Sequence, residues 1–154
     1  MKRILILFGV LLFLIVAIKV SGDYIQNKSL PFFSKPQTVL GTKTINLTVA
    51  KSQKEKQIGL SDKESLPQDQ GMVFVFQKPG YYSFWMRGMK FPIDIVYLKN
   101  KKIVTIFENV QPPAVDQNPE ILNPDEPADM VLEINAGLSR KYNLKKGDTI
   151  RINL

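Results

Sequence analysis

The chain has 154 residues, of which 44% are hydrophobic, and this suffices for one domain with a buried core and a short appendage. It contains neither cysteine nor histidine. This excludes disulfides, thiol nucleophiles, Cys-ligated zinc, iron–sulfur clusters and a serine–histidine–aspartate triad. Any chemistry would therefore depend on carboxylates, lysine, tyrosine or an ion bound by oxygen atoms.

The net charge is +7, but three of the 21 basic residues lie within residues 1–22. The remaining 18 basic residues stand against 14 acids, so the rest of the chain carries only +4. Because these basic residues are scattered, no nucleic-acid partner is expected. We also expect no cofactor and no metal, and we expect a monomer.

Two basic residues precede an apolar run over residues 4–20, in which Lys19 is the only charge. As a helix the run spans ~25 Å, close to the ~30 Å of a bilayer core. Basic residues before such a run keep the N-terminus in the cytoplasm. Residues 1–22 are therefore predicted to anchor the domain outside the cytoplasm, in the periplasm or at the cell surface. The alternative is a signal peptide cleaved near Gly22, which would release a secreted protein.

Residues 23–43 are rich in proline, glycine and small polar residues, which is typical of a tether. The domain is predicted to cover residues 44–154. Its first strand is Thr44 to Ala50, where apolar and polar residues alternate. The sequence from Ser52 to Glu55 is that of a capping box, which opens a short helix that ends at Gly59.

The rest of the domain reads as short strands separated by turns. They are predicted over residues 72–76, 81–86, 92–98, 102–108, 130–135 and 148–153. A helical turn is predicted at residues 138–143, and a long loop at residues 111–127, which hold five of the ten prolines. The pattern predicts a mainly β, compact, barrel-like domain with one or two short helices, preceded by an N-terminal transmembrane helix.

Seven short blocks stand out in this domain: Gly59-Leu60, Leu66-Pro67, Gly71-Met72-Val73-Phe74, Phe84-Trp85-Met86, Pro92-Ile93-Asp94-Ile95, Leu132-Glu133-Ile134-Asn135-Ala136-Gly137 and Gly147-Asp148. Together they resemble the DUF192 family, a bacterial and archaeal domain of unknown function. Their order and spacing match over about residues 45–154. The resemblance implies a mostly β fold and frequent export, and it supplies no reaction.

Two departures from the family pattern stand out. The family has methionine followed soon by arginine after Gly59-Leu60, where this chain has Ser61-Asp62-Lys63. After Met86 the family has Lys-Asn-Thr, where this chain has Arg87-Gly88-Met89. If those positions belong to a shared site, this chain carries an altered form of it.

Asp94 and Glu133 are acids embedded in apolar strands, and each therefore faces away from its immediate neighbours. Placed in one cleft, they could act as the acid and base of a hydrolase, or hold a calcium or magnesium ion. The alternative is a structural role, in which each acid accepts backbone hydrogen bonds or pairs with Arg87 or Arg140. We favour the structural role, most of all for Glu133.

Trp85 is the best candidate for a binding surface, because it alternates with Phe84 and Met86, which the pattern assigns to the core. With Arg87, Asp94 and Glu133 it completes the set of candidate ligand-binding residues. The sequence therefore favours a membrane-tethered binding or accessory module at the cell envelope, and leans away from an enzyme. The alternatives are a carboxylate hydrolase using Asp94 and Glu133, and a purely structural interaction domain.

Overall fold

The computed structural model describes residues 35–154, which form seven strands and two short helices. They are β1 (Gln37–Leu40), β2 (Lys43–Ala50), α1 (Gln53–Ile58), β3 (Gln70–Gly80), β4 (Ile93–Lys99), β5 (Lys102–Val110), β6 (Ala128–Asn135), α2 (Leu138–Lys141) and β7 (Ile152–Asn153). The strands make one sheet in the order β5-β4-β6-β3-β2-β1-β7. All pairs are antiparallel except β2 with β3.

The C-terminal segment contacts both edges of this sheet. At one edge, the Gly147 amide donates to the Ile103 carbonyl over 2.8 Å, and the Ile103 amide donates to the Asp148 carbonyl over 2.8 Å. At the other edge, β7 pairs with β1, and the Thr38 hydroxyl donates to the Arg151 carbonyl over 2.9 Å. The predicted mainly β, barrel-like fold with two short helices is thus confirmed.

Two hydrophobic clusters cover the two faces of the sheet. The inner cluster takes residues from all seven strands and from α2, and it includes Ile45, Val73, Val96, Ile103 and Leu132. The outer cluster lies on the opposite face, beneath α1 and the long connections, and it includes Leu60, Met72, Phe74, Ile95 and Tyr97. Strand β4, which lies between β5 and β6, is therefore buried on both faces, which explains its nearly unbroken apolar sequence.

The structure differs from the sequence prediction in four places, one of which is the closing strand, predicted over residues 148–153 and present only as β7 at Ile152–Asn153. Residues 81–86 do not form a strand, because they make a single bridge, between Phe84 and Leu122. β1 lies within the predicted tether, so the sheet begins before residue 44. β3 continues beyond residue 76, where the predicted strand ends, and reaches Gly80, which bridges Ala128 of β6 after a break in register.

The predicted anchor and all of the tether before residue 35 lie outside the described residues. Within residues 35–154, neither helix is long and apolar enough to span a bilayer.

Candidate functional site

Asp94 is fully buried near the start of β4, on the inner face of the sheet. Its carboxylate accepts hydrogen bonds from the amides of Asn109 (2.8 Å), Gly137 (3.0 Å) and Ser139 (2.7 Å). Asn109 lies at the break in the register of β5 between Phe107 and Val110, and the other two residues lie at the start of α2. Asn109 and Gly137 both have positive φ, at 51° and 82°. The carboxylate therefore fixes the irregular end of β5 and the start of α2 against β4, which is the structural role considered from the sequence.

Glu133 lies on the other face of the sheet. It stands opposite Ile95 of β4, whereas Asp94 stands opposite Ile134. Because successive strand residues point to opposite faces, the two carboxyl groups are separated by the sheet itself. The structure thus does not bring Asp94 and Glu133 into one cleft, and the paired-carboxylate hydrolase loses its geometric basis. Within residues 35–154 no group of three or more acids is placed to hold a metal ion.

The Glu133 side chain is buried against the outer cluster, and the residue is only 6% exposed. Its Oε2 makes no hydrogen bond to any residue of the described range 35–154. Burial raises the pKa of this carboxyl from 4.5 to about 8, because removal from water penalises the charged form. At neutral pH the group is therefore mostly a neutral acid, able to donate one hydrogen bond and accept others.

Glu133 lines a cleft of about 200 Å³ that opens between α1 and residues 82–89. Aromatic side chains form much of its wall: Phe74, Phe76, Tyr82, Phe84 and Trp85. The Phe76 and Tyr82 rings stack with centroids 3.6 Å apart, and the Phe84 ring meets Phe74 edge-on at 4.9 Å. This side of the cleft is thus an aromatic surface whose rings pack against one another.

Tyr97 of β4 holds the wall segment in place beside Glu133. Its hydroxyl lies 3.1 Å from the Tyr82 carbonyl and 3.2 Å from the Leu122 carbonyl. Burial, and then the nearby Glu133 carboxylate, raise the pKa of Tyr97 well above its usual range, so it stays protonated. The irregular course of residues 82–84 is therefore fixed by this buried contact and by the bridge to Leu122.

Two basic side chains stand over the aromatic rings of the cleft. The Lys56 ammonium lies 4.5 Å from the centre of the Phe76 ring, and the Arg87 guanidinium lies 5.8 Å from that of Trp85. Both distances are within the range of cation–π contacts. Within residues 35–154 neither group has a carboxylate at ion-pair distance. The site thus combines a buried carboxyl, an aromatic wall and two cations, neither of which is paired with an acid of the described part of the chain.

Helix α1 presents Lys56 to the cleft because its start is fixed. Ser52 and Glu55 form the predicted capping box, with the Glu55 amide donating to the serine hydroxyl over 3.2 Å and the Ser52 amide donating to the glutamate over 2.8 Å. Lys56 and Phe76 were missed as site residues. The only signal for Lys56 was its position one turn after the cap, and nothing in the strand pattern of Phe76 indicated a wall.

The structure brings together three of the four candidate residues named from the sequence. Trp85, Arg87 and Glu133 line one cleft, and Asp94 does not contribute to it. Trp85 is 49% exposed, so its ring is available at the rim. Both departures from the family pattern also reach this cleft, which Ser61 and Arg87 both line.

Two of the solved structures that are similar to this chain illustrate its fold. One is a protein of unknown function from Novosphingobium aromaticivorans DSM 12444, with 31% identity and a TM-score of 0.65, covering 75% of this chain and 83% of that one. The other, from Sinorhizobium meliloti 1021, is provisionally described as a transcription regulator; it has 24% identity and a TM-score of 0.66, and covers 76% and 91%. The second likeness shows the fold alone.

Among curated proteins, none matches this chain. The family model DUF192, described as "Uncharacterized ACR", matches residues 36–152, which is nearly the whole of the described range. This agrees with the resemblance carried by the motif blocks, and the chain belongs to the DUF192 family.

Proposed function

We propose that this domain is a small-ligand-binding module, held outside the cytoplasm by its N-terminal apolar segment. The observation that carries the binding proposal is Glu133, a buried acid in the cleft whose Oε2 has no hydrogen-bond partner within residues 35–154. Leaving a buried polar group unsatisfied costs ~1–3 kcal/mol. A ligand that hydrogen-bonds to Glu133 would recover that free energy on binding.

The walls of the cleft support this proposal. Small-molecule sites are typically concave and mostly apolar, with a few polar groups that set the orientation of the ligand. This cleft has that composition, because aromatic rings surround one carboxyl group. Typical drug-sized sites measure ~300–1,000 Å³, so a cleft of about 200 Å³ suits a ligand of roughly one ring.

The location rests on the sequence of the first residues. Lys2 and Arg3 precede the apolar run over residues 4–20, an order that places the following domain outside the cytoplasm. In this proposal the chain contacts the membrane through residues 4–20, and the domain binds its ligand in the cell envelope.

Trp85 offers a direct test of binding, because it is the only tryptophan of the chain and stands at the rim of the cleft. A panel of sugars, organic acids, amines and nucleosides would be titrated into the purified full chain while Trp85 fluorescence is recorded. We expect at least one class to give a saturable change. That change should be lost in Glu133→Leu, which keeps an apolar floor but has no hydrogen-bonding group, and kept in Glu120→Leu.

A saturable change of equal size in Glu133→Leu would show that the ligand binds elsewhere. No response from any class, in fluorescence or in the amide shifts of the cleft residues, would remove the binding proposal.

A further inference from the structure

The charge at the rim of the cleft narrows the class of ligand. Lys56 and Arg87 line the cleft, and within residues 35–154 neither is paired with an acid. Glu133 is the only acid among the lining residues. These two positive charges therefore attract an anionic ligand and repel a cationic one.

The aromatic wall does not reverse this preference. An ammonium ligand would normally bind over the face of a tryptophan or phenylalanine ring. Here the Phe76 face is already covered by Lys56 at 4.5 Å, and Trp85 has Arg87 at 5.8 Å. A ligand cation would have to displace one of the protein's own cations. The ring of a ligand can instead pack against the remaining wall, since aromatic rings also meet edge-on or offset.

Glu133 is compatible with a bound anion while its carboxyl group is protonated. As a neutral acid it adds no negative charge to the cleft and can donate a hydrogen bond to an acceptor atom of the ligand. The guanidinium of Arg87 suits a carboxylate, because its planar array of N–H groups matches the two oxygens of that group.

We infer that the cleft binds a small ring-bearing carboxylate, with the anionic group at the rim formed by Lys56 and Arg87 and the ring against the aromatic wall. The inference rests on the proposed binding function and adds the class of the ligand.

Three compounds of nearly identical shape test the charge preference: benzoate, benzamide and benzamidine, which are anionic, neutral and cationic. Each would be titrated into the purified full chain, with Trp85 fluorescence and the amide shifts of cleft residues as readouts. We expect benzoate to bind most tightly and benzamidine most weakly. Lys56→Gln and Arg87→Gln should each weaken benzoate by about two- to fivefold, the range of a partly exposed ion pair, and leave benzamide unchanged.

The matched control is Lys54→Gln, which removes an exposed charge from the same helix at a residue that does not line the cleft. It should bind benzoate as the parent does. If it weakens benzoate as much as Lys56→Gln, the preference reflects the overall charge of the domain and the inference falls.

Measurements over a range of pH separate the effect of Glu133 on benzoate binding from the effect of Lys56 and Arg87 at the rim. The titratable and charged groups around Glu133 are Tyr97 of β4, Lys56 of α1, and Tyr82 and Arg87 of the segment after β3. Strand β3 contributes Phe74, which does not titrate. Benzoate should bind more weakly as the pH rises through about 8, because the ionised carboxyl then repels it. Glu133→Gln, which cannot ionise, should remove that dependence and keep the preference for benzoate.

The outcomes distinguish the two proposals. Benzamidine binding as tightly as benzoate would overturn the ligand class and leave a binding cleft in place. If none of the three compounds gives a saturable response at the cleft, while other classes do, the ring-bearing carboxylate is likewise overturned. Silence from every class tested removes the binding function itself, and the inference with it.

Discussion

The carboxylate of Asp94 accepts hydrogen bonds from three backbone amides, one at the register break of β5 and two at the start of α2. Asp94→Asn keeps the size of the side chain but replaces one acceptor oxygen by a donor, which meets an N–H group instead of accepting from it. We expect the free energy of unfolding to fall by about 1–3 kcal/mol. Chemical denaturation of the full chain measures this, with the exposed Asp116→Asn as control. Unchanged stability would contradict the role assigned to Asp94.

Glu133 should behave in the opposite way. Its pKa is about 8 in the folded chain and near its ordinary 4.5 when unfolded, so the folded state holds the proton longer. Between pH 4.5 and 8 the unfolded state binds fewer protons, and the free energy of unfolding therefore falls as the pH rises through this window. This loss of stability, on the order of a few kcal/mol, is complete above the folded pKa.

Glu133→Gln removes that loss, because an amide does not titrate. We expect the variant to match the parent at the acid end of the window and to exceed it in stability near pH 8. Denaturation at several pH values measures the difference, and Glu120→Gln, on an exposed loop, should show none. A variant less stable than the parent at both ends would mean that Glu133 has a structural partner after all.

Asp94 and Glu133 show which features of the site could be predicted from the sequence and which could not. The embedding of each acid in an apolar strand was visible, and so was the choice between a structural and a functional role. For Asp94 the three backbone hydrogen bonds support the structural role, whereas for Glu133 the expected structural role stays a prediction, because its Oε2 has no hydrogen-bond partner within residues 35–154. The register of β4 against β6 decides which face each side chain occupies, and a single strand sequence carries no information about its partner's register.

At the scale of elements, five predicted strands and the capping box of α1 are found in the structure, because alternation and turn residues act locally. The segment over residues 81–86 has the same strand-like alternation, yet it forms only one bridge. Its path is set by contacts distant in sequence, from Tyr97 and Leu122. The cleft could not be predicted for the same reason, since α1 and this segment meet only in three dimensions.

β3 passes β6 at a distance that only glycine permits at residue 71. A Cβ added to Gly71 would lie 2.8 Å from the carbonyl oxygen of Glu133 and 3.2 Å from a side-chain carbon of Ile134. Because the first contact is with backbone, Gly71→Ala must shift the two strands apart. We expect a loss of about 1–3 kcal/mol in the free energy of unfolding, as for overpacked cores.

Thermal or chemical denaturation measures this loss, beside Thr48→Ala, which alters an exposed side chain on the neighbouring strand β2. The Gly71 variant should also disturb the pKa of Glu133, because the strain falls on its own backbone. Wild-type stability in Gly71→Ala would show that the strands can separate at little cost.

At the scale of the whole molecule, the proposed anchor makes a prediction about location. Full-length chain should sediment with membranes and stay there in alkaline carbonate, because residues 4–20 are long and apolar enough to span most of a bilayer. Protease added from outside should digest the domain. A chain beginning at residue 23 is the control and should leave the pellet. Full-length chain in the cytosolic fraction would sink the proposal.

The C-terminal segment has a consequence for the order of events during synthesis. Residues 147–153 pair with β5 at one edge of the sheet and with β1 at the other, and they leave the ribosome after all the other strands. A nascent chain therefore carries two open edges until this segment emerges, and unpaired edges invite association with other chains. A chain threaded through a translocation channel while still unclosed would complete its fold only on the far side.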